Sequence, residues 1–134
     1  MKKRLIVLGS TGSIGTKTLE VVADFPDHFE VVALSSHSRV AMLEEQVRRF
    51  RPRAVCVTST GQAVAAGHLA AATGVHLHLG AEGLCELVRQ YEADMVVVAT
   101  VGFVGLVPTL RAIDRGLTIA LANKEVLVTA GDIV

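Results

Sequence analysis

The chain has no surplus of charge. Its 134 residues include 13 Lys or Arg and 13 Asp or Glu, giving a formal net charge of zero. A dedicated nucleic-acid binder neutralises phosphates with a basic excess, and none exists here. Cysteine is scarce: Cys56 and Cys85 stand far apart without a CxxC, so neither a disulfide framework nor a zinc site is indicated. Long apolar runs are missing too, although the mean hydropathy is +0.49. The charge-free stretch from Ala54 to Ala81 is broken by three His and four Gly. Met95 to Leu110 is shorter than the roughly 18 residues of a membrane span and contains Gly102, Gly105 and Pro108. The opening MKKRLIVL imitates a signal peptide, but Leu5–Leu8 is too short for an h-region of about 7–15 residues. A cytoplasmic protein is expected, with neither membrane nor nucleic acid as partner.

What is present is apolar sequence in short blocks. With 51% hydrophobic residues the chain is not disordered, and its length suits one domain over residues 1–134. LIVL after Arg4, VVAL after Glu30, AVCV after Arg53, MVVVA after Asp94 and LTIALA after Gly116 are solid runs, not alternating ones. Strands covered on both faces have this character, as in a parallel sheet sandwiched by helices. The stretch VHLHL after Gly74 alternates and reads as a weaker strand near an edge. Helix-length segments separate the runs: Ile14 to Phe25, Arg39 to Phe50, Gly61 to Thr73, Ala81 to Tyr91 and Val107 to Arg115. The alternation predicts a doubly wound, mostly parallel α/β sheet with helices on both faces. Asn123 to Val134 starts like a helix and stops on apolar GDIV without a cap, so the chain is expected to be a cut piece.

The first strand runs into Gly9-Ser10-Thr11-Gly12-Ser13-Ile14-Gly15. Glycines there permit a tight turn, close backbone approach to a diphosphate and a helix packed on the strand. The new helix offers free N–H groups and the positive end of its dipole. The spacing is GxxGxxG, but its place between strand and helix suits a Rossmann-like dinucleotide site. An NAD-preferring site has an acid about 20 residues further on for the ribose 2′-OH. Here the second strand ends in Ser35-Ser36-His37-Ser38-Arg39, with no acid between Glu30 and Glu44. Hydroxyls with a guanidinium favour a 2′-phosphate, so NADPH is expected over NADH.

Asn123-Lys124-Glu125 closes the last strand at the carboxyl edge, where such folds bind ligands, although an N-capped helix start explains Asn123 and Glu125 equally well. Gly102 to Gly105 offers flat backbone for a cofactor, or a plain strand–helix turn. His76 and His78 share a strand face without a third ligand and read as an exposed edge. His28 falls in a loop before the second strand. No nucleophile–base order and no carboxylate pair stands out, so the chain reads as a cofactor platform.

Four blocks in order, LGSTGSIGTKTLEVV, FPDHFEVVAL, VGxxGLxPTL and ALANKEVLVTAGDIV, resemble the 1-deoxy-D-xylulose 5-phosphate reductoisomerase family. The resemblance runs from Leu8 to Val134 and covers only that family's N-terminal, NADPH-binding domain. It implies a parent enzyme of non-mevalonate isoprenoid biosynthesis. That enzyme rearranges a sugar phosphate and reduces the product with NADPH to 2-C-methyl-D-erythritol 4-phosphate, assisted by Mg2+ or Mn2+. By resemblance, Thr11, Gly12, Ser13 and Ile14 match the diphosphate loop, Asn123 and Glu125 match cofactor contacts, and Lys124 matches a substrate contact. His37, Ser38 and Arg39 take the 2′-phosphate position, although the family usually has a Gly–basic or small–Asn triplet there. The family's metal carboxylates lie in an Asp-Ser-Glu-His stretch beyond Val134, so no metal ligand is expected in this chain and the chain alone is expected to be inactive. The parent is expected to be a homodimer. The alternative is a free-standing, non-catalytic dinucleotide-binding module that serves as a sensor or interaction domain.

Overall fold

A computed structural model describes residues 2–100 and 104–121. Strands and helices alternate as β1 (Lys3–Leu8), α1 (Ser13–Asp24), β2 (Phe29–Ser36), α2 (Val40–Phe50), β3 (Ala54–Val57), α3 (Ala63–Thr73), β4 (His76–Leu79), α4 (Gly80–Gln90), β5 (Met95–Val98), α5 (Leu106–Asp114) and β6 (Thr118–Leu121). The strands lie in the order β4-β3-β2-β1-β5-β6, and each neighbouring pair is parallel. This is the expected doubly wound α/β sheet, Rossmann-like in order. The chain works outward from β1 to β4 and then crosses back to lay β5 against the other side of β1.

The apolar runs of the interior strands are solid because both of their faces are covered. Leu5 and Val7 of β1 pack with Leu19, Leu43 and Leu69 from α1, α2 and α3. The alternate residues Ile6 and Leu8 pack with Leu84, Leu87 and Ala112 from α4 and α5. The alternating strand β4 lies at the sheet edge as its sequence suggests, with His76 exposed. His78 Nε2 lies 2.8 Å from the Tyr91 hydroxyl, and partial burial holds its pKa below the usual imidazole range. No group of three His, Cys, Asp or Glu among the described residues could hold a metal ion. No described helix is long and apolar enough to cross a membrane.

One strand runs further than its apolar block, and one helix ends where expected but in an unusual conformation. Strand β2 continues past VVAL through Ser35 and Ser36, which pair with Cys56 and Val57 of β3 and are buried. Helix α2 stops at Arg51, whose φ of 51° is left-handed and whose N–H donates to the Val47 carbonyl. The glycines after α3 and α5, Gly74 at φ 77° and Gly116 at φ 75°, make the same stop without a side chain.

Asp94 ties β1 to the start of β5. It accepts the Arg4 backbone N–H at 2.8 Å and the guanidinium at 3.3 Å on both oxygens. That pairing holds the Asp94 carboxyl below its ordinary pKa, although both side chains remain well exposed. On the opposite helical layer, Gly83 lets α4 approach β3. A β-carbon there would lie 2.7 Å from Cys56 Sγ and 3.1 Å from His78 Cβ. Burial pushes the Cys56 thiol up to about 12.

These contacts set opposite expectations for two helical glycines. Gly83→Ala overfills the α4–β3 contact and is expected to cost about 1–3 kcal/mol in urea denaturation. Gly67→Ala in α3 meets nothing within 4 Å and is expected to gain roughly 0.5–1 kcal/mol. Equal effects would contradict this packing.

Candidate functional site

The three loop glycines answer different demands. Gly9 turns the chain at φ 83°, and a β-carbon there would lie 2.9 Å from the Ala99 carbonyl carbon. A β-carbon on Gly15 would collide with the Gly9 carbonyl oxygen and lie 2.7 Å from Ser10 Cα. Gly12 is different: its φ is −79°, and the nearest atom to an added β-carbon is the Gly9 oxygen at 3.7 Å. The fold forbids side chains at Gly9 and Gly15 but leaves room at Gly12, which opens onto a cleft.

The loop is tied to β2 and α2 by buried hydroxyls. Gly9 N–H donates to Ser35 Oγ and Ser10 N–H to the Ser35 carbonyl, both at 2.8 Å. Ser10 Oγ donates to Gln46 Oε1 at 2.6 Å, and Gln46 Nε2 donates to the Ser10 carbonyl at 2.9 Å. Thr11 Oγ1 lies 2.7 Å from Ser36 Oγ, which also accepts the Arg39 N–H at 3.2 Å. The loop therefore arrives at α1 in one fixed conformation.

Within α1 the first intrahelical bond is Thr16 N–H to the Gly12 carbonyl at 2.9 Å. The N–H groups of Ser13, Ile14 and Gly15 find no acceptor among the described residues, and no side chain caps the helix. Three unfilled donors at the positive end of a helix dipole make a site for an anion.

These donors border a cleft of about 410 Å³ between the carboxyl ends of β1, β2 and β5. This is the switch point, where the chain direction across the sheet reverses. Gly9, Thr11, Gly12, Ser38 and Arg39 line it, together with Leu84, Ala99 and Val104, and among the described residues no Asp or Glu does. Two larger concavities, of about 890 and 600 Å³, lie at the other end of the sheet, away from the unfilled N–H groups. Arg39 has no carboxylate within ion-pair reach among the described residues. His37 Nδ1 lies 2.8 Å from Thr58 Oγ1 across the cleft mouth. Thr100 also lines the cleft, with a buried hydroxyl that has no partner among the described residues.

The structure thus brings Thr11, Gly12, His37, Ser38 and Arg39 around one cleft. Ser13 and Ile14 stand at its rim on the first turn of α1 with exposed side chains, so their backbone N–H groups are what they can offer. Thr11 directs its hydroxyl to Ser36 rather than outward. Asn123, Lys124, Glu125 and Gly102 lie outside the described residues. Gln46 and Thr58 escaped the sequence reading, which counted Ser35 and Ser36 among the hydroxyls for a 2′-phosphate, whereas both serines bond to the α1 loop. The two serines directly after VVAL carried a signal, being hydroxyls at the end of a buried strand. Gln46 and Thr58 carried none, since their partners are distant in sequence.

The family model for 1-deoxy-D-xylulose 5-phosphate reductoisomerase matches residues 5–131. The reductoisomerase of Thermoanaerobacter pseudethanolicus is 49% identical over 132 residues, covering 98% of this chain and 34% of that relative. A solved reductoisomerase from Zymomonas mobilis in complex with NADPH superposes with a TM-score of 0.90 at 34% identity, over 99% of this chain and 35% of that one. Another, in complex with NADPH, fosmidomycin and magnesium, gives 0.89 at 37% identity, over 97% of this chain and 32% of that one. The chain spans about a third of the length of the relatives it matches. With a family match over nearly its whole length, on a parallel sheet whose first strand turns through a glycine loop into α1, the chain belongs to the 1-deoxy-D-xylulose 5-phosphate reductoisomerase family.

Proposed function

We propose that residues 1–134 are one domain that binds NADPH, the cofactor-binding part of an enzyme acting on 1-deoxy-D-xylulose 5-phosphate. The observation that carries this reading is the row of unfilled N–H groups on α1 beside a cleft that no Asp or Glu among the described residues lines. The NADPH bound to a relative of the same fold at 34% identity supports it. NADPH supplies a hydride when bound; the residues described here bind and orient it. Its diphosphate sits on the N–H groups of Ser13 and Ile14 beside Thr11, with Gly12 giving it close backbone approach. Its 2′-phosphate is taken by Ser38 and Arg39, with His37 at the cleft mouth. Asn123 and Glu125 are further cofactor contacts and Lys124 a substrate contact, on the strength of the family motif.

In the parent the sugar phosphate is rearranged and reduced to 2-C-methyl-D-erythritol 4-phosphate. A divalent metal, Mg2+ or Mn2+, assists that reaction in the parent, held by carboxylates of the Asp-Ser-Glu-His stretch that the family motif implies. The parent acts in the cytoplasm as a homodimer.

Three outcomes test the reading. In calorimetry NADPH binds more tightly than NADH, and Arg39→Ala narrows the difference by about 1.5–3 kcal/mol, the scale of charge-assisted hydrogen bonds. Equal affinities for the two cofactors overturn the assignment of Arg39. Gly12→Ala changes folding stability by less than about 1 kcal/mol, since space exists for its methyl group. The same substitution weakens NADPH binding about tenfold or more, a loss of ~1.4 kcal/mol. Finally, the 134-residue chain with Mg2+ shows no NADPH oxidation that depends on 1-deoxy-D-xylulose 5-phosphate; such oxidation would place the catalytic groups within it.

A further inference from the structure

The end of the sheet opposite the α1 loop has chemistry of its own. Arg48, Arg49, Arg51 and Arg53 fall within six residues, between the last turn of α2 and the start of β3. A neutral chain therefore has a strongly basic corner. Arg48 pairs with Glu44 at 3.1 Å, whereas Arg51 and Arg53 have no carboxylate within ion-pair reach among the described residues.

The corner is concave. A cleft of about 890 Å³ is lined by Arg48, Arg51, Arg53 and His76, and among the described residues no Asp or Glu contributes to it. Val47, Pro52 and Val75 give it an apolar wall. Arg51 and Arg53 also border the adjoining hollow of about 600 Å³, where, among the described residues, Lys2 and Arg49 outnumber the one carboxylate, Glu30. Backbone geometry adds an independent observation. Arg51 is held at φ 51° and ψ 55°, a conformation unfavourable for a side chain, where α3 uses Gly74 at the same kind of stop. A strained position occupied by a long cationic side chain, on the lining of a cleft, points to a use for that side chain.

We propose that this cleft binds an organic diphosphate, with its phosphate oxygens on Arg51 and Arg53, supported by Arg48, and its organic body against Val47, Pro52 and Val75. Guanidinium forks match phosphate oxygens in pairs, and adjacent arginines call for a ligand whose negative charges are adjacent too. The volume is that of a small-molecule site, and the apolar wall has nothing to offer a bare ion. The site is separate from the α1 cleft, because the arginines stand at the amino end of β3 and that cleft at the carboxyl ends of the strands.

The test is calorimetric titration at low salt with two probes, uridine diphosphate and inorganic pyrophosphate, on the wild-type chain, Arg51→Gly and Arg53→Gln. Both probes are also anions for the α1 loop, which is identical in all three proteins, so only differences between them report on this cleft. The expected result is a saturable component that weakens at least tenfold in each variant, with uridine diphosphate bound more tightly than pyrophosphate in that component. Arg51→Gly should keep or raise the urea midpoint, since glycine relaxes the left-handed turn. Arg53→Gln, outside that turn, decides the matter independently. Titrations indistinguishable among the three proteins would overturn the proposal, and equal affinity for the two probes would overturn its organic part.

Discussion

No side chain fits between the end of β1 and the first turn of α1, and the arrangement of the cleft depends on that closeness. The carbonyl of Gly9 occupies the space where a β-carbon of Gly15 would stand, so helix and strand meet backbone to backbone. Contact at that range fixes where the helix begins and in which direction its first N–H groups face. Those groups have no partner within the described protein. A buried helix start without a cap is costly, so this one has to open on solvent or on a ligand. The cleft follows from that requirement as much as from the sheet topology.

Hydroxyl side chains then make the loop rigid. Ser35 and Ser36 serve two structures at once, as strand residues paired with β3 and as hydrogen-bonding partners of the α1 loop. Gln46 carries the connection on to α2, meeting both the hydroxyl and the carbonyl of Ser10. The loop facing the helix dipole and the turn bearing Arg39 are therefore parts of one hydrogen-bonded unit. Pre-ordering of this kind lowers the conformational cost of receiving a long ligand along both.

Much of this was legible in the residues because it depends on local chemistry. Solid runs such as MVVV and AVCV meant burial on both faces, and both lie in the interior of the sheet with helices above and below. The alternating HLHL marked an edge for the same reason. The glycine spacing showed a strand-to-helix turn, yet could not tell which glycines the fold requires and which leave room. That distinction depends on Ala99 and Ser10, whose positions only the folded chain sets. The partnership of Ser10 with Gln46 was hidden by 36 residues of separation. The charge balance misled in its own way, because 13 against 13 says nothing of where charges gather. Four arginines at one corner disappear in such a sum.

The packing of α4 on β3 has an effect on thiol reactivity. Cys56 is sealed beneath Gly83 with its thiol pushed up to about 12, and only the thiolate attacks alkylating reagents. Cys85, partly exposed on α4, is the accessible thiol of the two. Reagent therefore reaches Cys56 only when the sheet and α4 come apart. The native chain thus carries, within its own core, a reporter whose rate of modification counts openings of the fold.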